Sequence, residues 1–88
     1  MEQEQFFVTI DEEYITLTQL LKALAIIQTG GQVKPYLQNN EVWVDGELEQ
    51  RRGRKLYPGM HVQFANVEGD FIIEAESEAT TVTDNDET

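Results

Sequence analysis

Apolar positions along this chain follow two different periods, and the switches between them mark its elements. "QFFVTI", residues 5–10, mixes aromatic and β-branched side chains in partial alternation and predicts a strand. The polar "DEEY" leads into "ITLTQLLKALAII", residues 15–27. There Leu17, Leu20, Leu21, Leu24 and Ile27 recur at helical spacing and form one apolar stripe. Thr16 or Thr18 can cap this helix, and Thr16 with Gln19 fits a capping box. "TGG" at 29–31 stops it, with Gly30 or Gly31 expected to take the left-handed conformation of a C-cap.

A second, shorter helix is expected across "QVKPYLQNN", with Val33 and Leu37 on one face. Pro35 is tolerable in a first turn, where backbone N–H groups lack helical partners, so the helix starts near Gly31 or Gln32. Asn39-Asn40 ends it, because Asn accepts positive φ better than most residues. "EVWV" then reads as a strand with Val42 and Val44 inward and Trp43 outward. Asp45-Gly46 is a strong hairpin signal, and "ELEQ" returns as a short strand. "RRGRKLYPG" reads as a loop. "HVQF" is a strand with Val62 and Phe64 on one face, and "FIIEA", residues 71–75, is a last strand expected to pair with the first. The fold class is α+β. The apolar stripe of the first helix should pack on Val33, Leu37, Val42, Val44, Val62 and Phe64.

Charge changes this picture. The 88 residues carry a net charge of −11, yet four of the six basic residues sit within "RRGRK", residues 51–55. All six lie between residues 15 and 64, a segment with only four acids, while the flanks hold thirteen acids and no base. The bulk acidity therefore describes the ends. Residues 76–88 hold five acids, no aromatic residue and one large aliphatic, Val82, and are expected to be a disordered acidic tail. A chain this short buries about 60–65% of its unfolded surface, leaving room for one fold and one binding surface. There is no cysteine, and no nucleophile–base pair or metal-ligand spacing, so neither enzyme chemistry nor a cofactor is expected. The acidic "MEQEQ" lacks the positive region of a secretory signal, and the longest apolar run, Ala23 to Ile27, is too short for a bilayer. A cytoplasmic monomer without a membrane partner is the expectation.

The order of two helices, "VWVDG", a basic loop and a strand after "PG" resembles the S4-type RNA-binding domain over residues 15–64. The motifs are "ITLTQLLKAL", "TGGQVK", "VWVDG" and "PGMHV". The form "RRGRKL" and the short length are most similar to the small stand-alone bacterial members of that family. The resemblance implies an S4-like, αL-type fold: two short helices packed on a small antiparallel sheet, here with an extra N-terminal strand. It divides the chain into residues 1–14, a strand and acidic connection; 15–64, the S4-like domain; 65–75, a C-terminal strand; and 76–88, the tail. Three positions depart from the family pattern. Thr29-Gly30 stands where Ser-Arg is common, Asp45 replaces the usual Asn, and Met60 replaces the usual Asp.

The function implied is a non-catalytic module that contacts structured RNA, of the ribosomal or transfer class, through a basic loop. Arg51, Arg52, Arg54 and Lys55 are the candidate phosphate contacts, since guanidinium groups fork onto phosphate oxygens and Lys adds a point charge. Gly53 permits close backbone approach. The bland reading is a solvated loop that neutralises Glu47 and Glu49. Lys34 joins the set by resemblance, matching a basic position early in the family's second helix; Lys22 is a weaker candidate. Trp43 either stacks on an unpaired base or covers the edge of the core. "TGG" before a helix is either a phosphate cradle or plain turn chemistry. His61 is expected to be a surface strand residue. The competing function is a protein-interaction adaptor for the replication and recombination machinery, its acidic tail docking a basic partner.

Overall fold

A computed structural model describes residues 4–76. The strand β1 (Gln5–Ile10) is followed by the short β2 (Ile15–Thr16) and helix α1 (Leu17–Ala23). A 3-10 turn (Gly30–Gln32) opens helix α2 (Val33–Asn39). Then come β3 (Val42–Val44), β4 (Glu47–Leu48), β5 (Lys55–Leu56), β6 (His61–Phe64) and β7 (Val67–Ala75). Five strands form one sheet in the order β1-β7-β6-β3-β4, and β2 with β5 makes a separate ribbon. This is the α+β architecture expected: two short helices on a small, mostly antiparallel sheet with an N-terminal strand. The pair β1–β7 is the exception, for it runs parallel, with Phe7 opposite Ile72.

The helices bury one face on the sheet. Leu17, Leu20, Leu21 and Ile27 from the α1 region and Val33 and Leu37 from α2 are buried with Val42, Val44, Val62, Phe64, Phe71 and Ile73. Thr16 caps α1 as expected: the Gln19 N–H donates to Thr16 Oγ1 (3.2 Å), and the Thr16 N–H donates to Gln19 Oε1 (2.8 Å). No helix is long and apolar enough to cross a membrane among the described residues.

Lys55 and Leu56, read as loop, form β5 because they pair with Thr16 and Ile15, and three expectations at the helices fail for physical reasons. The first helix covers 17–23 and stops short of Ile27, while its start follows the Thr16 cap, with Ile15 and Thr16 paired to Leu56 and Lys55. It ends at Ala25 rather than at a glycine. Ala25 takes φ 60°, its N–H donates to Lys22 O (3.0 Å) and the Ile26 N–H donates to Leu21 O (2.9 Å). Those are the two bonds of a Schellman cap. Leu24, its C-cap, is consequently half-buried rather than central to the stripe. The second helix ends at Asn40 without positive φ; Asn40 is extended at φ −138°, and its side-chain amide donates to Tyr36 O (3.2 Å). The acidic tail expected at 76–88 lies outside the described residues except for Glu76, whose N–H donates to Ile10 O (2.8 Å).

Candidate nucleic-acid interface

The basic loop is launched by the β3–β4 hairpin. Asp45 and Gly46 have φ 51° and 85°, the two positive values of a tight hairpin turn. That turn fixes the register, with Val44 opposite Glu47 and Trp43 opposite Leu48. Leu48 is therefore carried to the outer face, 52% exposed, and the next residue, Glu49, is turned inward, 5% exposed. Apolar-inward intuition is inverted at this point. The Glu49 N–H donates to Val42 O (2.7 Å), which extends the pairing by one bond.

A buried carboxylate is costly unless it is paired and hydrogen-bonded. Glu49 Oε2 accepts from the N–H groups of Gln50 (3.1 Å) and Arg51 (2.9 Å) and from Arg51 Nε (3.0 Å). Glu49 Oε1 accepts from Arg51 Nη2 (3.1 Å) and Arg54 Nη1 (2.7 Å). The Arg51 guanidinium hydrogen bonds, foremost, and those of Arg54 outweigh burial and pull the carboxyl down to about 2. Two of the four clustered bases thus do internal work. The expectation that the bases neutralise acids holds for Glu49, with Arg51 and Arg54 as the partners.

The backbone of the same loop completes α1. Leu17 N–H donates to Arg54 O (2.9 Å), Thr18 N–H to Arg52 O (3.1 Å), and Thr18 Oγ1 also donates to Arg52 O (2.9 Å). First-turn N–H groups have no helical acceptor, and here the loop supplies them. With its carbonyls turned to the helix, the loop is anchored at both levels, by Glu49 and by α1.

The charges left over face outward. Arg51 remains 75% exposed despite its pairing. Among the described residues, Lys34, Arg52 and Lys55 enter no ion pair; Lys55 Nζ lies 5.0 Å from the Tyr14 ring centroid. Lys34, Leu37 and Gln38 of α2 and Gln50, Arg51, Arg52 and Gly53 of the loop line one open groove. A Cβ at Gly53 would meet nothing within 4 Å, so the space above it is free.

Arg54 and Lys55 lie beyond this groove and line a second, with Tyr57 and Met60. Trp43 joins neither; it is half-buried on the outer face of the sheet, in register with Leu48 and Gln63. Lys22 is exposed in the last turn of α1. At the start of "TGG", Gln32 Oε1 accepts from the N–H groups of Gln28 (2.6 Å) and Thr29 (3.1 Å), which is local turn chemistry. His61 is a surface strand residue whose Nδ1 lies 2.8 Å from Asp70 Oδ2. Among the described residues no group of three or more His, Cys, Asp or Glu is arranged to hold a metal ion. Two residues escape sequence reasoning, Tyr14 and Tyr57, and so does the burial of Glu49. The available signal for Glu49 was the two-residue turn, which counts it onto the core face.

The sequence profile of the S4 domain matches residues 8–73, three quarters of the chain. The chain belongs to the S4 domain family. The match is wider than residues 15–64 and takes in the end of β1 and most of β7. S4 domains are non-catalytic RNA-binding modules, so this is not an enzyme. The chain is also similar to the probable ribosome maturation protein RlbA of Bacillus subtilis (strain 168). The two are 52% identical over 52 residues, 59% of this chain and 73% of that protein.

Proposed function

We propose that this S4 domain binds structured RNA by laying its phosphate backbone in the groove between α2 and the loop 51–55. The observation that carries the reading is the convergence of Lys34 with Arg51, Arg52 and Gly53 on one groove, from segments 17 residues apart in sequence. Backbone contacts supply much of the affinity of such a protein, and A-form helices are read mainly by shape and 2′-hydroxyls. The similarity to a probable ribosome maturation protein favours ribosomal over transfer RNA as the ligand. The resemblance of this S4 domain to the bacterial S4 protein YaaA favours a monomer acting in the bacterial cytoplasm.

A protein-interaction adaptor is the second reading, favoured by Phe7 and Leu48, 60% and 52% exposed on the outer sheet face. The two readings separate in a titration. Lys34→Gln with Arg52→Gln leaves the Glu49 clamp intact, unlike removal of the whole cluster. The double variant keeps the wild-type circular dichroism and loses roughly 0.7–0.9 per removed contact from the log–log salt slope of RNA binding. Unchanged affinity and slope for a structured RNA would mean that the groove is not the contact surface.

A further inference from the structure

The loop 51–55 is a ridge with a groove on each side, and Arg51 and Gly53 line both. The second groove has a different chemistry from the first. It is lined by Arg51, Gly53, Arg54, Lys55, Tyr57 and Met60, so its charged side chains are all cationic and its wall is aromatic.

The aromatic wall follows from strand pairing. Ile15 lies opposite Leu56 in the antiparallel ribbon, so the next step outward sets Tyr14 against Tyr57. Their ring centroids are 5.5 Å apart with planes tilted by 50°. Tyr14 is half-buried behind, and Tyr57 is 38% exposed in front. The turn that follows holds Tyr57 in place. Met60 N–H donates to Tyr57 O (3.1 Å), Tyr57 N–H contacts Met60 Sδ (3.4 Å), and Gly59 N–H donates to Ile73 O (2.7 Å). Lys55 over the Tyr14 ring keeps a cation at the edge of the platform. On its far side Tyr14 borders Glu12 and Glu13, which repel phosphate and leave the loop side as the approach for a nucleotide.

We propose that Tyr57, backed by Tyr14, is a stacking platform for one unpaired base, with Lys55 and Arg54 beside its phosphate. A paired base does not expose its face, whereas an unpaired one stacks on an aromatic ring. The proposal rests on the α2–loop groove binding RNA, and it narrows the ligand. The RNA is a helix with a bulge or a loop junction, its duplex backbone on one side of the ridge and its unpaired nucleotide on the other.

Two RNA hairpins with the same stem test this, one fully paired and one carrying a single bulged 2-aminopurine nucleotide. The full chain binds the bulged hairpin more tightly, by on the order of tenfold. Both affinities fall as salt rises and the ratio narrows without vanishing, since stacking, unlike the Lys55 and Arg54 contacts to phosphate, releases no counterions. The 2-aminopurine fluorescence is quenched on binding. Tyr57→Phe keeps both the preference and the quenching, and Tyr57→Leu loses them while its circular dichroism stays native. The wild-type comparison needs no variant: equal affinity for the two hairpins, or binding without quenching, overturns the platform and leaves the first groove standing. Preference retained by Tyr57→Leu also overturns it. Binding to neither hairpin overturns both readings.

Discussion

The hairpin turn at Asp45–Gly46 and the loop 49–55 lie on either side of β4, and they hold their shapes by different means. The turn is two residues long, and its conformation is its own: both φ values are positive, and Asp and Gly are residues that tolerate this. Tertiary structure adds two bonds, both to His61: the Asp45 N–H donates to His61 O (2.8 Å) and the His61 N–H to Asp45 Oδ1 (2.9 Å). The loop has no such local instruction. It is shaped by a carboxylate buried beneath it and by a helix N-terminus that needs its carbonyls. The difference suits their tasks. A turn must only reverse the chain, whereas a loop with the phosphate-binding role proposed above must hold several cations at fixed positions against their mutual repulsion. A buried anion accomplishes that, at the expense of two arginines partly turned inward.

Glu49→Gln should break the loop's side of the comparison, with the largest effect. The folded pKa of Glu49 lies below the unfolded value, so its stabilisation is complete above about pH 4.5 and is lost as pH falls towards about 2. The variant should lose about 2–3 kcal/mol at pH 7 by urea denaturation. The difference from wild type should shrink as pH falls through that window, because the wild-type carboxyl then protonates as well. RNA affinity should also fall, although the variant is less acidic. A gain in affinity would mean that Glu49 acts by its charge alone and does not organise the arginines.

Gly46→Ala sharpens the other side. A Cβ there meets nothing within 4 Å, so packing is unaffected and only the backbone is strained. The left-handed region costs an L-residue roughly 1–2 kcal/mol, and the stiffer unfolded chain returns part of it. A net loss of about 1 kcal/mol is expected, with no pH dependence between 2 and 7. A pH-dependent loss would show that the turn is coupled to the Asp45–His61 contact or to the clamp, and the contrast with the loop would dissolve.

What the sequence disclosed follows the same division. β1, β3, β6, the Asp45–Gly46 turn, the Thr16–Gln19 capping box and the inward faces of Val42, Val44, Val62 and Phe64 were all legible, because each is specified within a few residues. So was the clustering of charge at 51–55. The length of α1 was not, because the helix stops at a left-handed Ala25 set by its surroundings and not at the glycines; nor was β2, whose Ile15 and Thr16 pair with β5, forty residues away. Nor was the role of Glu49, since an acid two positions before Arg51 reads as a surface pair until the hairpin register turns it inward. Tyr14 and Tyr57 sit 43 positions apart, and only the β2–β5 register brings their rings together. Lys34 was placed by resemblance; its meeting with Arg51 and Arg52 is a tertiary fact.

The end of α1 tests the division on a turn that obeys local rules with the wrong residue. Ala25 occupies the left-handed position of a Schellman cap, φ 60°, where glycine is the usual choice. The sequence offered glycines at 30 and 31, and the chain ends its helix five residues earlier. The cap is held in place by what surrounds it: Leu21, fully buried, supplies the acceptor for the Ile26 N–H, and Ile27 is buried two residues on. Core packing therefore imposes a conformation that Ala25 itself resists. The Ala25 side chain is exposed, so replacing it removes strain and little contact. Ala25→Gly should stabilise the domain, by the strain relieved less the entropy gained by a freer unfolded chain, a net of about 0.5–1 kcal/mol. For a domain this small that raises the melting temperature by roughly 2–8 °C. It is the Gly46→Ala effect with the sign reversed, in a turn dictated from outside rather than from within. Thermal melts followed by circular dichroism decide it. A lower melting temperature would mean that the alanine methyl packs more than its exposure suggests, and that this turn, like the loop, depends on its side chains rather than on backbone preference.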